Sequence, residues 1–203
     1  MNDQIWWHVA RAGGIVTLLL AAASVIWGLL FSSKITERSP GPKWLLDLHR
    51  YLGGATVIFV LTQMAALILD GYVQFTISDL LIPFASTWRS SAVAWGIVGF
   101  YLLVAVQVTS MLMKRIPRKW WKWIHMSSYV MLWTGLIHGI QAGTDTGSLL
   151  YVGGTAAIVG GTVRLTGYRI LMQHKFRRSS PSPSERKDPT IPRKGVAPAR
   201  TGS

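Results

Sequence analysis

Of the chain's 203 residues, 50% are hydrophobic and only 14% are charged, a balance that disfavours a water-soluble globule and is typical of a membrane protein. The chain has no cysteine, which excludes disulfides, thiolate metal sites, iron–sulfur clusters and cysteine nucleophiles. A formal net charge of +13 on its own suggests a nucleic-acid partner. Whether it does so here depends on where the 21 Lys and Arg lie in the chain.

Five apolar stretches follow one another along the chain, and each is close to the roughly 20 residues that a helix needs to cross a bilayer. They cover about residues 9–31, 45–69, 92–113, 121–141 and 149–172. We therefore predict an all-α fold, an integral membrane bundle of five transmembrane helices. The first stretch has no basic leader and no small-residue cleavage site, so we expect it to be retained rather than removed as a signal peptide.

The basic residues predict how the bundle is oriented. All but two of the 21 Lys and Arg lie in the connection between the first and second spans, in the connection between the third and fourth, or from Arg164 onward. Arg11 and Arg89 lie on the opposite side. The positive-inside rule then places the N-terminus outside and the C-terminus in the cytoplasm. Most of the positive charge is therefore a topology signal, and we predict no nucleic-acid partner.

Two segments outside the apolar cores are predicted to lie at the membrane interface. Between the second and third spans, a stretch interrupted by Pro83 is too polar to cross, yet apolar residues recur in it at helical spacing, which favours a short interfacial helix over the bundle mouth. These residues are Ile77, Leu80, Leu81 and Phe84. A tryptophan run beside basic residues, at the start of the fourth span, is typical of an interface anchor. It comprises Trp120, Trp121 and Trp123 with Arg118, Lys119 and Lys122.

Residues 174–203 form a second predicted region, after a transmembrane domain over residues 1–173. They combine Pro, Ser and basic residues with almost no apolar content, so they cannot bury enough surface to fold alone. We expect a disordered basic cytoplasmic tail that lies on anionic membrane lipid.

Three histidines lie within predicted spans: His49 near the start of the second, and His125 and His138 in the fourth. A histidine inside a membrane is costly and normally faces a polar partner within the bundle. One interpretation is hydrogen bonding between helices. The other is axial ligation of haem, in which neutral imidazoles from two facing helices bind one iron from both sides.

His49 and His125 are the predicted pair of iron ligands. Each lies about four residues into a span that begins on the cytoplasmic side, so the two rings are expected at similar depth. Small residues follow each histidine and leave room for a flat ring at close approach. Arg50 and Lys122 are candidates to face the haem propionates at the cytoplasmic surface.

A second site is predicted farther along the same helices. His138 follows His125 by 13 positions, which is about 20 Å along a helix toward the outer leaflet. The two rings lie roughly 140° apart on an ideal helix, so we expect a local irregularity near Thr134 and Gly135. On the second span the corresponding position holds Gln63, an amide that is a poor iron ligand and can instead hydrogen-bond to another helix.

These residues resemble the ferric reductase-like transmembrane family, which includes the membrane domains of NADPH oxidases and ferric reductases and the haem subunit of the bacterial periplasmic methionine sulfoxide reductase system. The resemblance covers about residues 5–172, five helices where the family core has six. It rests on the segments LDLHRYLGGATVIFVLTQMAALILDGYVQF, DLLIPFASTWRSSAVAWG and RIPRKWWKWIHMSSYVMLWTGLIHGIQAGTD. The resemblance depends on two features together: the His-Arg-x-x-Gly sequence at the start of the second span and the two histidines of the fourth span.

The resemblance implies haem b as the cofactor. The family's inner haem is held by the histidines that correspond to His49 and His125, and its outer haem by the second histidine of each helix. Here only His138 matches, because Gln63 stands at the other position. Three arrangements are left open for the outer site: a five-coordinate haem on His138 with Gln63 near its open face, no outer haem, or a shifted haem with another ligand.

The resemblance also implies a function. No Gly-rich dinucleotide turn follows the last span, so we expect a haem-only oxidoreductase component, multi-pass in the bacterial plasma membrane, without a flavin or nicotinamide domain of its own. A separate cytoplasmic flavin reductase or quinol would donate its electrons, and an unknown outer acceptor would take them. The alternative is a non-redox membrane protein, a small transporter or an assembly partner, whose histidines are interhelical hydrogen-bond groups.

Overall fold

A computed structural model of the chain describes residues 3–32, 43–71, 73–143 and 149–178. Within these ranges the chain is helical apart from short connections and contains no strand, which confirms the all-α prediction. The helices are α1 (Asp3–Ser32), α2 (Lys43–Leu69), α3 (Ile77–Leu81), α4 (Ser90–Met111), α5 (Arg118–Met126), α6 (Ser128–Ala142) and α7 (Leu149–Arg178). The first three predicted spans correspond to α1, α2 and α4.

Three of the described helices are long and apolar enough to cross a membrane, namely Ile5–Leu30 within α1, Lys43–Leu69 and Ser90–Met111. Many of their large apolar side chains are exposed, for example Ile15, Ile58 and Val104. Contiguous apolar surface of this kind is unfavourable in water and is covered by acyl chains in a bilayer. The described chain is thus all-helical with three candidate membrane-spanning helices.

The chain divides into two units, Met1–Thr166 and Gly167–Ser203. The described part of the second unit is the end of α7, which continues to Arg178 and therefore includes residues 174–178 of the predicted tail. Lys and Arg are good helix formers, so a basic sequence can continue a helix beyond its apolar part. The rest of the predicted tail, residues 179–203, lies outside the described residues.

In the first unit the helices pack around a main apolar cluster. α1 packs mainly on α2, and α4 mainly on α6, while contacts of α1 with α6 and of α2 with α4 join the two pairs. Leu132 on α6 is 2% exposed and belongs to this cluster. The other buried members are Ala21, Ala22, Val25, Leu29, Leu103, Met131 and Leu136. The cluster contributes apolar contacts that join α1, α4 and α6.

The fourth predicted span consists of two helices, α5 and α6, which meet at Ser127. The Ser127 N–H donates to the Ile124 carbonyl at 3.0 Å, a turn tighter than that of an α-helix, and its hydroxyl donates to the same carbonyl at 2.6 Å. The prediction of an irregularity near Thr134 and Gly135 is wrong in position, because α6 runs through both residues unbroken. With 15 residues, α6 covers only about 22 Å and is too short to cross a bilayer alone.

The helix predicted between the second and third spans is α3. The Thr76 hydroxyl accepts the Asp79 N–H, while the Asp79 carboxylate accepts the Thr76 O–H at 2.6 Å and its N–H at 2.9 Å. The Thr76 hydroxyl, and after it the Thr76 N–H, lower the pKa of Asp79. Leu80 points into the protein and is buried. Phe84 lies beyond the helix, exposed and with a φ of 67°, so it does not share the helical face as predicted.

Candidate functional site

Two histidines from different helices meet at one end of the bundle. The ring centroids of His49 in α2 and His125 in α5 are 6.0 Å apart, and the ring planes make an angle of 71°. Two imidazole nitrogens that bind opposite sides of one metal at about 2 Å would separate their ring centroids by about 6 Å. The observed separation of the ring centroids is therefore close to that of two imidazoles on one metal ion.

Both rings have a polar contact at Nδ1. The Nδ1 atom of His49 lies 3.1 Å from the carbonyl oxygen of Ser24 in α1 and 3.3 Å from its hydroxyl. A carbonyl only accepts, so this contact places the ring proton on Nδ1 and leaves a lone pair on Nε2. The Nδ1 atom of His125 lies 3.4 Å from the hydroxyl of Ser110 in α4. Metal-binding histidines are commonly oriented through their second nitrogen in this way.

Trp121 and Gly28 form walls beside the two rings. Trp121 stacks on His125, with 5.0 Å between ring centroids and 21° between planes. Its indole N–H is buried and has no hydrogen-bond partner among the described residues. A Cβ at Gly28 in α1 would lie 3.2 Å from Cε1 of His49, so glycine gives that ring its space. An unpartnered buried donor is costly, and this N–H would be satisfied by an acceptor on a bound group.

Arg50 is not brought to the histidine pair. Its guanidinium lies 3.5 Å from the Asp47 carboxylate, and its side chain is 60% exposed. Consecutive residues of a helix do not face the same way, so a ring at position 49 that points inward leaves Arg50 on the outer surface. Lys122, the other residue expected at the propionates, is exposed on α5.

A cavity of about 230 Å³ lies farther along the bundle, between α1, α2, α4 and α6. Its lining is largely apolar. The polar residues in the lining are Arg11, Thr17, Thr56, Gln63 and His138. The Thr17 hydroxyl is buried and has no hydrogen-bond partner in the described part of the chain. Trp88, which also lines the cavity, makes edge-to-face contacts with Trp7 and Phe75. The cavity therefore offers a few polar atoms to a mostly apolar occupant.

His138 at this cavity is oriented in the same way as His49, by a contact between Nδ1 and a backbone carbonyl of a neighbouring helix. Its Nδ1 donates to the Ala92 carbonyl of α4 at 2.7 Å, which again leaves a lone pair on Nε2. A Cβ at Gly96, four residues after Ala92, would lie 2.8 Å from Nδ1 of His138. Gly28 likewise follows Ser24 by four residues. In both cases a helix supplies the acceptor carbonyl and, one turn later, a glycine that admits the ring.

Gln63 lies at the same cavity as His138 but packs against α1. A Cβ at Gly14 would lie 3.0 Å from the amide nitrogen of Gln63, and a Cβ at Gly13 would lie 3.4 Å from its Cβ. The two glycines thus allow α1 and α2 to approach closely at this level. The structure brings together at one cavity the two residues that the sequence placed at the outer site.

In the described ranges, no group of three or more His, Cys, Asp or Glu side chains could hold a metal ion. A bare metal ion normally takes three or four protein ligands. Haem iron takes four ligands from the macrocycle and needs only one or two from the protein. The donor set of His49 and His125 supplies two imidazoles, the number of protein ligands that a haem iron can take.

Sequence reasoning missed the groups that orient the rings. Two of the three are backbone carbonyls, of Ser24 and Ala92, and any residue type can supply a carbonyl. Ser110 lies in an apolar helix, where a serine is more often a general interhelical contact. Gly28 and Gly96 gave one weak indication of a close approach. Glycine destabilises a helix, so a glycine inside an apolar helix suggests that another group packs against it.

Comparison with protein-family models, with curated protein sequences and with solved structures found no match for this chain. A function for the chain must therefore be inferred from the chemistry of the site.

We predict that Gly96→Ala destabilises the protein by about 1–3 kcal/mol, the usual cost of forcing extra atoms into a packed interior. The new Cβ would lie 2.8 Å from Nδ1 of His138, and the ring cannot retreat without losing its bond to Ala92. Gly54→Ala is the matched control, because no atom lies within 4 Å of a Cβ there. Thermal unfolding in detergent measures both variants, and equal stability of Gly96→Ala and the wild type would contradict the described packing.

Proposed function

We propose that this chain is a haem b electron-transfer protein of the bacterial plasma membrane. It takes electrons from a separate cytoplasmic flavin reductase or from quinol and passes them to an acceptor on the outer side. The observation that carries the proposal is the facing pair of imidazoles, His49 and His125, at a ring separation of 6.0 Å. The chain thereby acts as an oxidoreductase component that depends on a partner for its electrons.

Two residues around the pair support this proposal. The Ser24 carbonyl keeps the proton of His49 on Nδ1, so that Nε2 is ready to bind iron. The buried N–H of Trp121 lacks a partner in the described chain and is suited to an acceptor such as a propionate. A haem bound there would supply one-electron redox chemistry. The protein groups would hold the ligands and keep their tautomer.

We further propose five crossings of the membrane, with the N-terminus outside and the C-terminus in the cytoplasm. In this topology α5 and α6 together make the fourth crossing, since α6 alone is too short, and α7 makes the fifth. The exposed cations around the start of α5 support a cytoplasmic position for that end. These are Lys114, Arg115, Arg118, Lys119 and Lys122.

For the outer site we favour a five-coordinate haem on His138 with Gln63 near its open face. The presence of both residues in the lining of one apolar cavity supports this arrangement. The lone pair on Nε2 of His138 would provide one ligand to such a haem. The buried Thr17 hydroxyl, which has no partner within the described ranges, gives the cavity a further polar contact for an occupant.

The competing proposal is a non-redox membrane protein, a transporter or an assembly partner, whose histidines only join helices. Two observations favour it: the bond of His49 to α1 and the bond of His138 to α4 are both interhelical. The competing proposal does not explain why His49 and His125 lie close together, because no hydrogen bond joins those two rings in the described structure.

Purified full-length protein is expected to show a reduced-minus-oxidised haem b spectrum, and His125→Ala or His49→Ala is expected to abolish its six-coordinate signal. Loss of either imidazole removes one axial ligand, so the iron becomes high-spin or the haem dissociates. His8→Ala is the matched control, because His8 is exposed at the start of α1. An unchanged low-spin spectrum in His125→Ala would end the assignment, and absence of haem from the wild type would favour the competing proposal.

Gln63→His is expected to convert a high-spin haem signal to a low-spin one, because it supplies the second imidazole at the cavity that His138 lines. Gln141→His serves as control, since Gln141 is exposed near the end of α6. Electron paramagnetic resonance of the oxidised variants distinguishes the two spin states. If Gln63→His leaves both the spin state and the haem content unchanged, the proposed outer site is wrong.

A further inference from the structure

The surface of α5 combines exposed tryptophans with exposed cations. Trp120 is 66% exposed and Trp123 is 70% exposed, although both are large apolar side chains. The cations of α5 itself are Arg118, Lys119 and Lys122, all exposed. An amphipathic helix with this composition is typical of one that lies in a membrane interface. We refer to these five side chains as the α5 surface.

The positive charge of the α5 surface is not neutralised within the described chain. None of its three cations forms an ion pair with a described residue; the ion pair observed in the described ranges joins Arg50 to Asp47. No Asp or Glu occurs between Asp79 and Asp145, so α5 and the segments next to it along the chain carry no carboxylate. Lys114 and Arg115, also exposed, add to the charge just before the helix. An anionic partner is therefore the complement of this surface.

We propose that the α5 surface binds the headgroups of anionic phospholipids. The bound headgroup lowers the reduction potential of the haem that His49 and His125 hold, and this second part rests on the proposed function. A lipid is favoured over an acidic protein because the cations alternate with exposed tryptophans. Such rings lie at headgroup level, where their apolar parts contact acyl chains and their N–H groups stay in polar surroundings.

The same short helix carries the headgroup contacts and the metal ligand. Trp121 and His125 are four residues apart on α5 and stack on each other. Arg118 and Lys122 are also four residues apart, in the row next to them. A phosphate held between these cations would place negative charge one helix row from the imidazole. Negative charge favours the oxidised form of a nearby redox centre, because that form carries one more positive charge.

The experiment uses the full-length protein in nanodiscs of phosphatidylcholine alone or mixed with phosphatidylglycerol. Native mass spectrometry measures which lipid is retained, and a potentiometric titration measures the haem potential. The triple variant R118Q/K119Q/K122Q is expected to lose phosphatidylglycerol preference by about fivefold for each cation removed. The charge-preserving variant R118K/K119R/K122R is the matched control and is expected to keep it. Lys119→Gln alone is expected to lose about fivefold and replaces the triple variant if that variant folds poorly.

Wild-type protein is expected to titrate at a lower potential with phosphatidylglycerol than without it, and the triple variant is expected to lose that difference. Retention of phosphatidylglycerol by the triple variant at the wild-type level would overturn the lipid site. If the variant instead loses only the binding of an acidic donor protein, the surface is a protein-docking surface and the proposal is wrong. A potential that does not depend on lipid would overturn the coupling. Absence of haem would contradict the proposed function, whereas the lipid-retention measurement would still test the lipid site.

Discussion

A histidine ring in the apolar interior of a helical bundle needs a partner for its ring proton, and for two of the three histidines of the sites that partner is a backbone carbonyl of a neighbouring helix. The carbonyls of Ser24 and Ala92 hold His49 and His138, and in each case a glycine one turn later admits the ring. One contact thereby fixes the tautomer, the direction of the ring and the approach of two helices. The lone pairs on Nε2 that remain are the basis of the proposed chemistry.

This arrangement divides the first unit into two levels with different properties. At one level His49 and His125 face each other with Trp121 stacked beside them, close to the exposed cations of α5. At the other level His138 and Gln63 line a cavity that is otherwise mostly apolar. On the proposed function, the first level exchanges electrons with the cytoplasmic side and the second passes them outward.

Several of these features could be predicted from the sequence because they follow from helix geometry. Hydropathy located α1, α2 and α4, and equal distances from the helix starts placed His49 and His125 at one level. The break in the fourth span at Ser127 could not be located, because no Pro or Gly, the usual causes of a helix break, lies between Arg118 and Thr134. The orienting carbonyls were also beyond prediction, since every residue has one. The outward position of Arg50 was predictable in hindsight, because it directly follows an inward-facing residue.

The central claim is that one iron is bound by two imidazoles, from α2 and α5. Near-infrared magnetic circular dichroism of the oxidised full-length protein tests this most directly, because the charge-transfer band of low-spin ferric haem identifies its axial ligands. We predict the band of bis-imidazole ligation in the wild-type protein. A band from any other pair of axial ligands, or the absence of a low-spin haem band, would contradict the account.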